Sequence, residues 1–313
     1  MKFSIGIPAY KEAYLIECIS SILSQSYKDF ELIIVNDCSP QNVEEIVFSF
    51  SDSRIRYFRN EVNCGAENVV DNWNKCLVHA TGDFFVLMGD DDKLAPSYLE
   101  DFNDLISRYP ALDVYHCRSI IINEDSMPID LTPSWPEYEN VLDNIWHRIK
   151  SLRQQFISDF LFRTDNLKEN DGFYKLPLAW ASDDISVYRA IGEKGIAHLN
   201  KPNFLYRRNS QTISSGGNSQ LKMEALFKEK FWLENFLDNL DVNLDNSYFL
   251  NTVLKEEINK YVRKKKIRTI TNSYQTGFIK NIQFWFNSRK EFNISFAEIV
   301  YSVIERVKQI KSN

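Results

Sequence analysis

Cysteine is scarce and badly placed for a framework. Cys18, Cys38, Cys64, Cys76 and Cys117 are odd in number, lie within the first 117 residues and form no CxxC pair. Neither a disulfide scaffold nor a zinc ribbon is indicated, and a reducing cytoplasm is the expected compartment. No stretch approaches the ~18 to 20 uninterrupted apolar residues of a membrane span. The opening MKFSIGIPAYKE reaches a proline and charges too soon for a signal peptide, so the chain is expected not to be integral to a membrane. No GxGxxG or GxxxxGK(S/T) follows any apolar run, which excludes dinucleotide-binding and P-loop chemistry. His79, His116, His147 and His198 have no metal-ligand spacing and read as structural or surface residues. No internal repeat is evident.

What is present is globular: 313 residues, 44% hydrophobic and 26% charged, enough for one large domain and an appendage. The net charge of -6 is unevenly spread. Residues 255–313 carry 13 Lys/Arg against 5 Asp/Glu, and residues 1–254 carry 24 against 38. An acidic body with a basic tail implies two functional regions, and the acidic body argues against nucleic acid as a partner.

Apolar, β-branched runs at Phe3–Ile7 and Glu31–Val35 read as buried parallel strands. Between them Leu15, Cys18, Ile19 and Ile22 recur at helical spacing. The pattern repeats with strands at Arg54–Phe58, Phe84–Met88 and Asp113–Cys117, and helices over Ala66–Ala80 and from Pro96 through Leu105. Alternation of this kind predicts an α/β fold with an open, mostly parallel sheet between helices. A further helix is expected near Leu142–Leu152. Linker composition follows at 210–220, then three helical segments, 223–237, 251–266 and 296–310, so the expected domains are 1–215 and a basic helical region 216–313. Ligands of open sheets bind beyond the carboxyl ends of the strands, which places Pro8–Tyr10, Asn36–Ser39, Asn60–Gly65 and Gly89–Asp92 along one rim.

Asp90, Asp91 and Asp92 close the fourth apolar run. Three adjacent carboxylates repel one another unless a cation or proton compensates. Mg²⁺ takes one or two carboxylates and completes its shell with water and phosphate, so the triplet suits a metal–diphosphate complex. A solvated acidic turn capping the next helix is the alternative.

The stretch IPAYKEAYLIECISSILSQSYKDFELIIVNDCS resembles the opening of family 2 glycosyltransferases of the GT-A fold, and TGDFFVLMGDDDKLAP resembles their metal-binding segment. The resemblance covers residues 1–120 well and is traceable to about 215. It implies an inverting enzyme that uses a nucleotide-diphosphate sugar, a uridine-linked one being expected, and a divalent metal, Mg²⁺ or Mn²⁺. It implies Asp91 as metal contact, with Asp92 as a second metal residue and Asp90 on the nucleotide side. Asp37 is implied as acceptor for the base, with Pro8 and Tyr10 lining the same cleft; an Asx turn at VNDCSP and a core role for Tyr10 are the alternatives. LAWASDDISVYRAIGEKG resembles the segment that carries the catalytic base. Counting from Gly195 selects Asp184, the favoured residue, and counting from Arg189 selects Asp183 as its neighbour. Two acids favoured by a helix N-terminus would look the same.

Two departures stand out. Trp73 occupies a position where many members carry arginine, leaving diphosphate charge to the metal, to Lys75 or to amides near Gly65. Lys75 could equally be a solvated helix charge. Asn209, in FLYRRNSQTIS, stands where some members carry a metal-ligating histidine, and Arg207 and Arg208 are candidate phosphate or acceptor contacts. The acceptor class implied is a saccharide or lipid-linked saccharide in surface polysaccharide synthesis. The basic region 255–313 suits peripheral contact with the inner face of a membrane, or a packed subdomain or homodimer contact. A nucleotidyltransferase would need a Gly-rich basic loop that IPAYKEAY lacks. A non-catalytic scaffold on the same sheet is the other reading.

Overall fold

A computed structural model describes residues 1–209, 218–240 and 246–312. The chain divides into two compact units, Met1–Lys175 with Ser182–Ser215, and Leu176–Ala181 with Gly216–Asn313. The expected division at 215/216 lies outside the described residues, as does most of the linker-like stretch 210–220.

In the first unit the elements run β1 (Phe3–Ala9), α1 (Leu15–Leu23), β2 (Phe30–Asn36), α2 (Val43–Phe48), β3 (Ile55–Arg59), α3 (Val69–Val78), β4 (Phe84–Leu87), β5 (Lys93–Leu94), α4 (Tyr98–Arg108), β6 (Val114–Ile122), β7 (Pro128–Leu131), β8 (Tyr138–Glu139), α5 (Val141–Ile149), β9 (Phe160–Arg163), α6 (Thr164–Glu169), α7 (Ser182–Ile191) and β10 (Ile196–Arg207). The sheet order is β3-β2-β1-β4-β9-β6-β10-β5, with β7 on β6 and β8 on β10. Two parallel blocks, β3-β2-β1-β4 and β6-β10, meet across β9, which is antiparallel to both β4 and β6. The mostly parallel α/β sheet is as expected from the sequence. The antiparallel insertion was not expected, because β9 is a four-residue run without alternation.

Hydrophobic burial fixes the first block. Every residue of β2 is buried, and α1 turns Leu15, Cys18, Ile19 and Ile22 onto the sheet. Each large aliphatic side chain so removed from water contributes about 1.5–3 kcal/mol. Pro8 is tolerated in the central strand for a specific reason. Residues of β1 alternate between neighbours: Gly6 accepts from Met88 on the β4 side and Ala9 accepts from Asp37 on the β2 side. The imide of Pro8 therefore faces the β4 side, one step beyond the last β4 pairing at Gly6, where no amide is required.

The helix expected over 66–80 begins as a 3-10 turn at Ala66–Asn68 before α3. The expected helix 142–152 ends at Ile149, and Ser151 just beyond adopts a left-handed φ of 57°. The second unit is helical: α8 (Ser219–Asn239), α9 (Asn246–Ser273), α10 (Phe278–Asn287) and α11 (Phe296–Ser312). Of these, α10 was not expected. No helix among the described residues is long and apolar enough to cross a membrane.

Candidate functional site

Four loops leave the carboxyl ends of β1 to β4 and are tied to one another. Asp90 Oδ2 accepts the backbone N–H groups of Tyr10 (2.8 Å) and Lys11 (2.7 Å). Ser39 Oγ donates to the Tyr10 carbonyl at 2.6 Å, and Asp37 N–H donates to the Ala9 carbonyl at 2.9 Å. Asp37 is 7% exposed, and its Oδ1 accepts from Asn60 Nδ2 (2.7 Å) and Cys64 N–H (2.9 Å). The side chain that caps the turn is Asn36, whose Oδ1 accepts Ser39 N–H at 2.8 Å. The Asx-turn alternative for Asp37 is thus occupied by its neighbour, and the Cys64 thiol also hydrogen-bonds the Asp37 carboxylate. Pro8 is half-buried and Tyr10 is exposed beside this group. Lys75 sits on the same side, its Nζ 3.5 Å from Cys64 Sγ. Trp73 packs edge-on against Phe173 at 5.7 Å, an aromatic contact in place of a cation.

The aspartate triplet divides its labour. Asp90 and Asp92 are buried, at 9% and 5% exposure. Asp92 Oδ1 accepts the Arg207 backbone N–H at 2.8 Å, and its other oxygen folds back so closely that a Cβ on Gly89 would meet it at 2.6 Å. These two residues brace loops. Backbone amides of the protein hold one oxygen of each: Oδ2 of Asp90, expected on the nucleotide side, and Oδ1 of Asp92, expected as a metal residue. Asp91 is the outward member: its Oδ2 accepts from Asn209 Nδ2 at 2.7 Å and lies 3.7 Å from Lys11 Nζ. Burial and then the Asp91 charge push the Asp90 carboxyl up to about 6, against the pull of the Lys11 and Tyr10 amides. Burial, again followed by Asp91, also raises Asp92.

Arg207 is a strut. Its guanidinium is buried, and Nε donates to the Asp91 carbonyl at 2.7 Å. Nη1 reaches the carbonyls of Asn123 and Glu124 and Ser126 Oγ at 3.0–3.1 Å, and Nη2 reaches Glu17 at 3.2 Å. The plane lies 4.0 Å over the Tyr14 ring. Of the two expected phosphate or acceptor contacts, Arg207 is thus enclosed by the protein, and Arg208 is exposed.

Among the described residues no group of three or more His, Cys, Asp or Glu side chains is arranged to hold a metal alone. The donors at Asp91 fit a hard divalent ion that takes one carboxylate and fills its shell with water and phosphate oxygens. The amide of Asn209 can present its oxygen to such an ion by turning over.

The second acidic pair stands at the start of α7. Asp184 is 3% exposed, and its Oδ1 accepts from Arg148 Nε and Gln155 Nε2, both at 2.8 Å. Its carboxylate is held in an ion pair with Arg148. Asp183, one residue earlier on the helix, is half-exposed. The preceding backbone is strained: Leu178, Ala179 and Ala181 have φ of 60°, 51° and 70°, which costs on the order of 1–3 kcal/mol per residue and is characteristic of functional segments.

A family model, Glycosyl transferase family 2, matches residues 4–162, which hold β1 to β8 and all four rim loops. The chain belongs to glycosyl transferase family 2. Residues 1–313 superpose on S. aureus TarS 1-349 in complex with UDP-GlcNAc with a TM-score of 0.69 and 18% identity, covering 100% of this chain and 93% of that one. The mannosyltransferase PcManGT of Pyrobaculum calidifontis, in complex with GDP-Man and Mn2+, gives 0.54 at 13% identity, covering 98% and 87%. These likenesses establish the GT-A fold. Among curated relatives, the Escherichia coli UDP-Glc:alpha-D-GlcNAc-diphosphoundecaprenol beta-1,3-glucosyltransferase WfgD is 31% identical over 142 residues, 45% of this chain and 55% of that protein. Matches to the first curated relatives span about a third to just over half of their length. Sequence reasoning overlooked Lys11, Arg148 and Gln155. Lys11 directly follows Tyr10 in PAYKE and was findable; the other two carry no local signal.

Proposed function

We propose that the chain is an inverting glycosyltransferase that moves a sugar from a uridine diphosphate donor to a saccharide or lipid-linked acceptor in surface polysaccharide synthesis. The observation that carries this reading is the rim itself, where Asp91 projects from two buried, unneutralised aspartates beside the loop that holds Asp37. The nucleotide named in the TarS complex and in the WfgD name, and the diphosphoundecaprenol acceptor in the latter, support the donor and acceptor classes. Mn2+ in the PcManGT complex supports the metal.

Asp37 Oδ2 accepts a hydrogen bond from the base, and Tyr10 packs beside it. Asp91, with the Asn209 amide, would hold Mg²⁺ or Mn²⁺, which when bound neutralises the leaving diphosphate. Lys11, and Arg208 if it faces the cleft, add positive charge. Asp183 takes the proton of the acceptor hydroxyl as its oxygen bonds to the anomeric carbon. The bond from that carbon to the diphosphate breaks on the opposite face, and the diphosphate leaves with the electron pair. Asp184 anchors the start of α7 so that Asp183 keeps its position.

Titration calorimetry with uridine, guanosine and thymidine diphosphates, each with and without Mn²⁺, tests the proposal. Metal-dependent binding of uridine diphosphate is expected, with Asp91→Ala weakening it by about tenfold or more. Failure of the folded protein to bind any of the three would favour a non-catalytic scaffold.

A further inference from the structure

In the second unit, α11 uses only one face for packing. Ile299 and Ser302 are buried; the Ser302 carbonyl accepts from Thr271 Oγ1 at 3.1 Å and its hydroxyl meets Tyr274 at 2.8 Å. Glu298 is also buried and turns back to accept from Ser295 N–H at 2.7 Å. The opposite face bears Phe296, Val300, Ile304, Val307 and Ile310, exposed by 61, 42, 44, 44 and 63%. Spacings of four, four, three and three keep them in one stripe about 21 Å long. A soluble helix seldom shows water so continuous an apolar face.

The charges beside the stripe favour one occupant. Lys308 and Lys311 are exposed, and Arg263 of α9 lies 5.4 Å from the Tyr301 ring. The exposed acid of α11, Glu305, is paired to Lys308 at 2.7 Å. On α10, Phe278, Ile279 and Phe286 are exposed by 41, 80 and 49%, and residues 278–291 carry Lys280, Arg289 and Lys290 against Glu291. Two amphipathic helices therefore pair apolar exposure with positive charge. A second copy of the chain would set like charges against like across a twofold contact. An anionic surface is complementary to both features, and it would repel the acidic residues 1–254.

We infer that the exposed faces of α10 and α11 dock on an anionic lipid bilayer. Apolar side chains enter the headgroup boundary while Lys308, Lys311, Lys280 and Arg289 stay at the phosphate level. The inference does not depend on the proposed transferase reaction.

Co-sedimentation of the full chain with phosphatidylglycerol-containing vesicles and with pure phosphatidylcholine vesicles tests it. Binding is expected to favour the anionic vesicles by about tenfold or more at low salt and to fall at high salt. The double variant Ile304→Asp with Val307→Asp should lose most of this binding while its melting temperature and nucleotide binding stay unchanged. Should that variant fail to fold, Lys308→Glu with Lys311→Glu decides, since loss of the anionic preference is then expected. Equal partitioning to both vesicles, absence of binding, or variants that bind like the unaltered chain would overturn the inference. So would a concentration-dependent dimer in sedimentation velocity that the stripe variant abolishes while vesicles capture nothing.

Discussion

Glu31 and Asp90 are buried carboxylates at opposite ends of the same parallel block, and the fold treats them differently. Glu31, at the start of β2, accepts from Ser4 Oγ (2.6 Å), Thr81 N–H (2.7 Å) and Arg56 (2.6 Å). Burial pushes its carboxyl up, but these donors outweigh burial and hold it at about 2. Asp90, beyond β4, receives two backbone amides and stands next to Asp91, and it is pushed up to about 6. The chain neutralises its own charge at the lower edge and leaves charge uncompensated at the rim. A structural carboxylate comes with its cation built in; a binding site leaves room for one that arrives with the ligand.

The sharpest test lies at α7, where a buried and a half-exposed carboxylate stand side by side. Asp184 is buried with Arg148 and Gln155 as partners, and Asp183 is half-exposed. Asp183→Asn is expected to lower kcat by about 10²–10⁴-fold, with melting temperature and uridine diphosphate affinity unchanged. Asp184→Asn removes a charge that Arg148 needs, and should cost about 2–4 kcal/mol of stability, read from urea unfolding. An Asp184 variant that kept its stability but lost turnover with intact donor binding would return the base role to Asp184 and break the contrast.

The position of the rim was legible in the sequence because each apolar run ends abruptly in polar residues, and three adjacent aspartates are conspicuous. Their division of labour was not. Asp90, Asp91 and Asp92 are chemically identical, and what separates them is contact with distant chain: Arg207 N–H on Asp92, Tyr10 and Lys11 N–H on Asp90. Counting along a motif likewise could not choose between Asp183 and Asp184, since the helix turns consecutive residues about 100° apart and only the packing of α7 decides which faces inward. Of the fold, β1, β2 and β4 were readable from their apolar runs, and β3, which is only part-buried, from its place in the strand–helix alternation. β10 was not, because its twelve residues include the polar stretch Asn200–Pro202, where its pairing to β6 slips register.

The lower edge yields the next effect. Glu31→Gln keeps the shape of the side chain but cannot accept from every donor around it, and should destabilise the protein by about 2–3 kcal/mol without altering nucleotide affinity. The pH dependence has a definite sign. The folded carboxyl titrates at about 2 against an ordinary value of 4.5, so its contribution is complete above pH 4.5 and is lost as pH falls through about 2. Urea melts between pH 2 and 5 should show the unaltered chain losing this advantage over the variant; parallel curves would mean that Glu31 is not compensated as its bonds imply.

At the rim the same reasoning runs in reverse, with a smaller effect. Asp90 titrates at about 6 in the folded chain against an ordinary 3.8, so its protonated form supports the native state below pH 3.8, and that support is lost as pH rises through about 6. Asp90→Asn retains an oxygen for the Tyr10 and Lys11 amides and removes the charge. Without divalent ions the variant should therefore be the more stable at pH 8, by about 1 kcal/mol or a few degrees in Tm, and should match the unaltered chain at pH 4. Mn²⁺ should narrow the gap at pH 8 by neutralising the triplet through Asp91. If the unaltered chain were instead the more stable at pH 8 without metal, the rim would be neutralised from within, and the case for a cation arriving with the donor would lose its electrostatic basis.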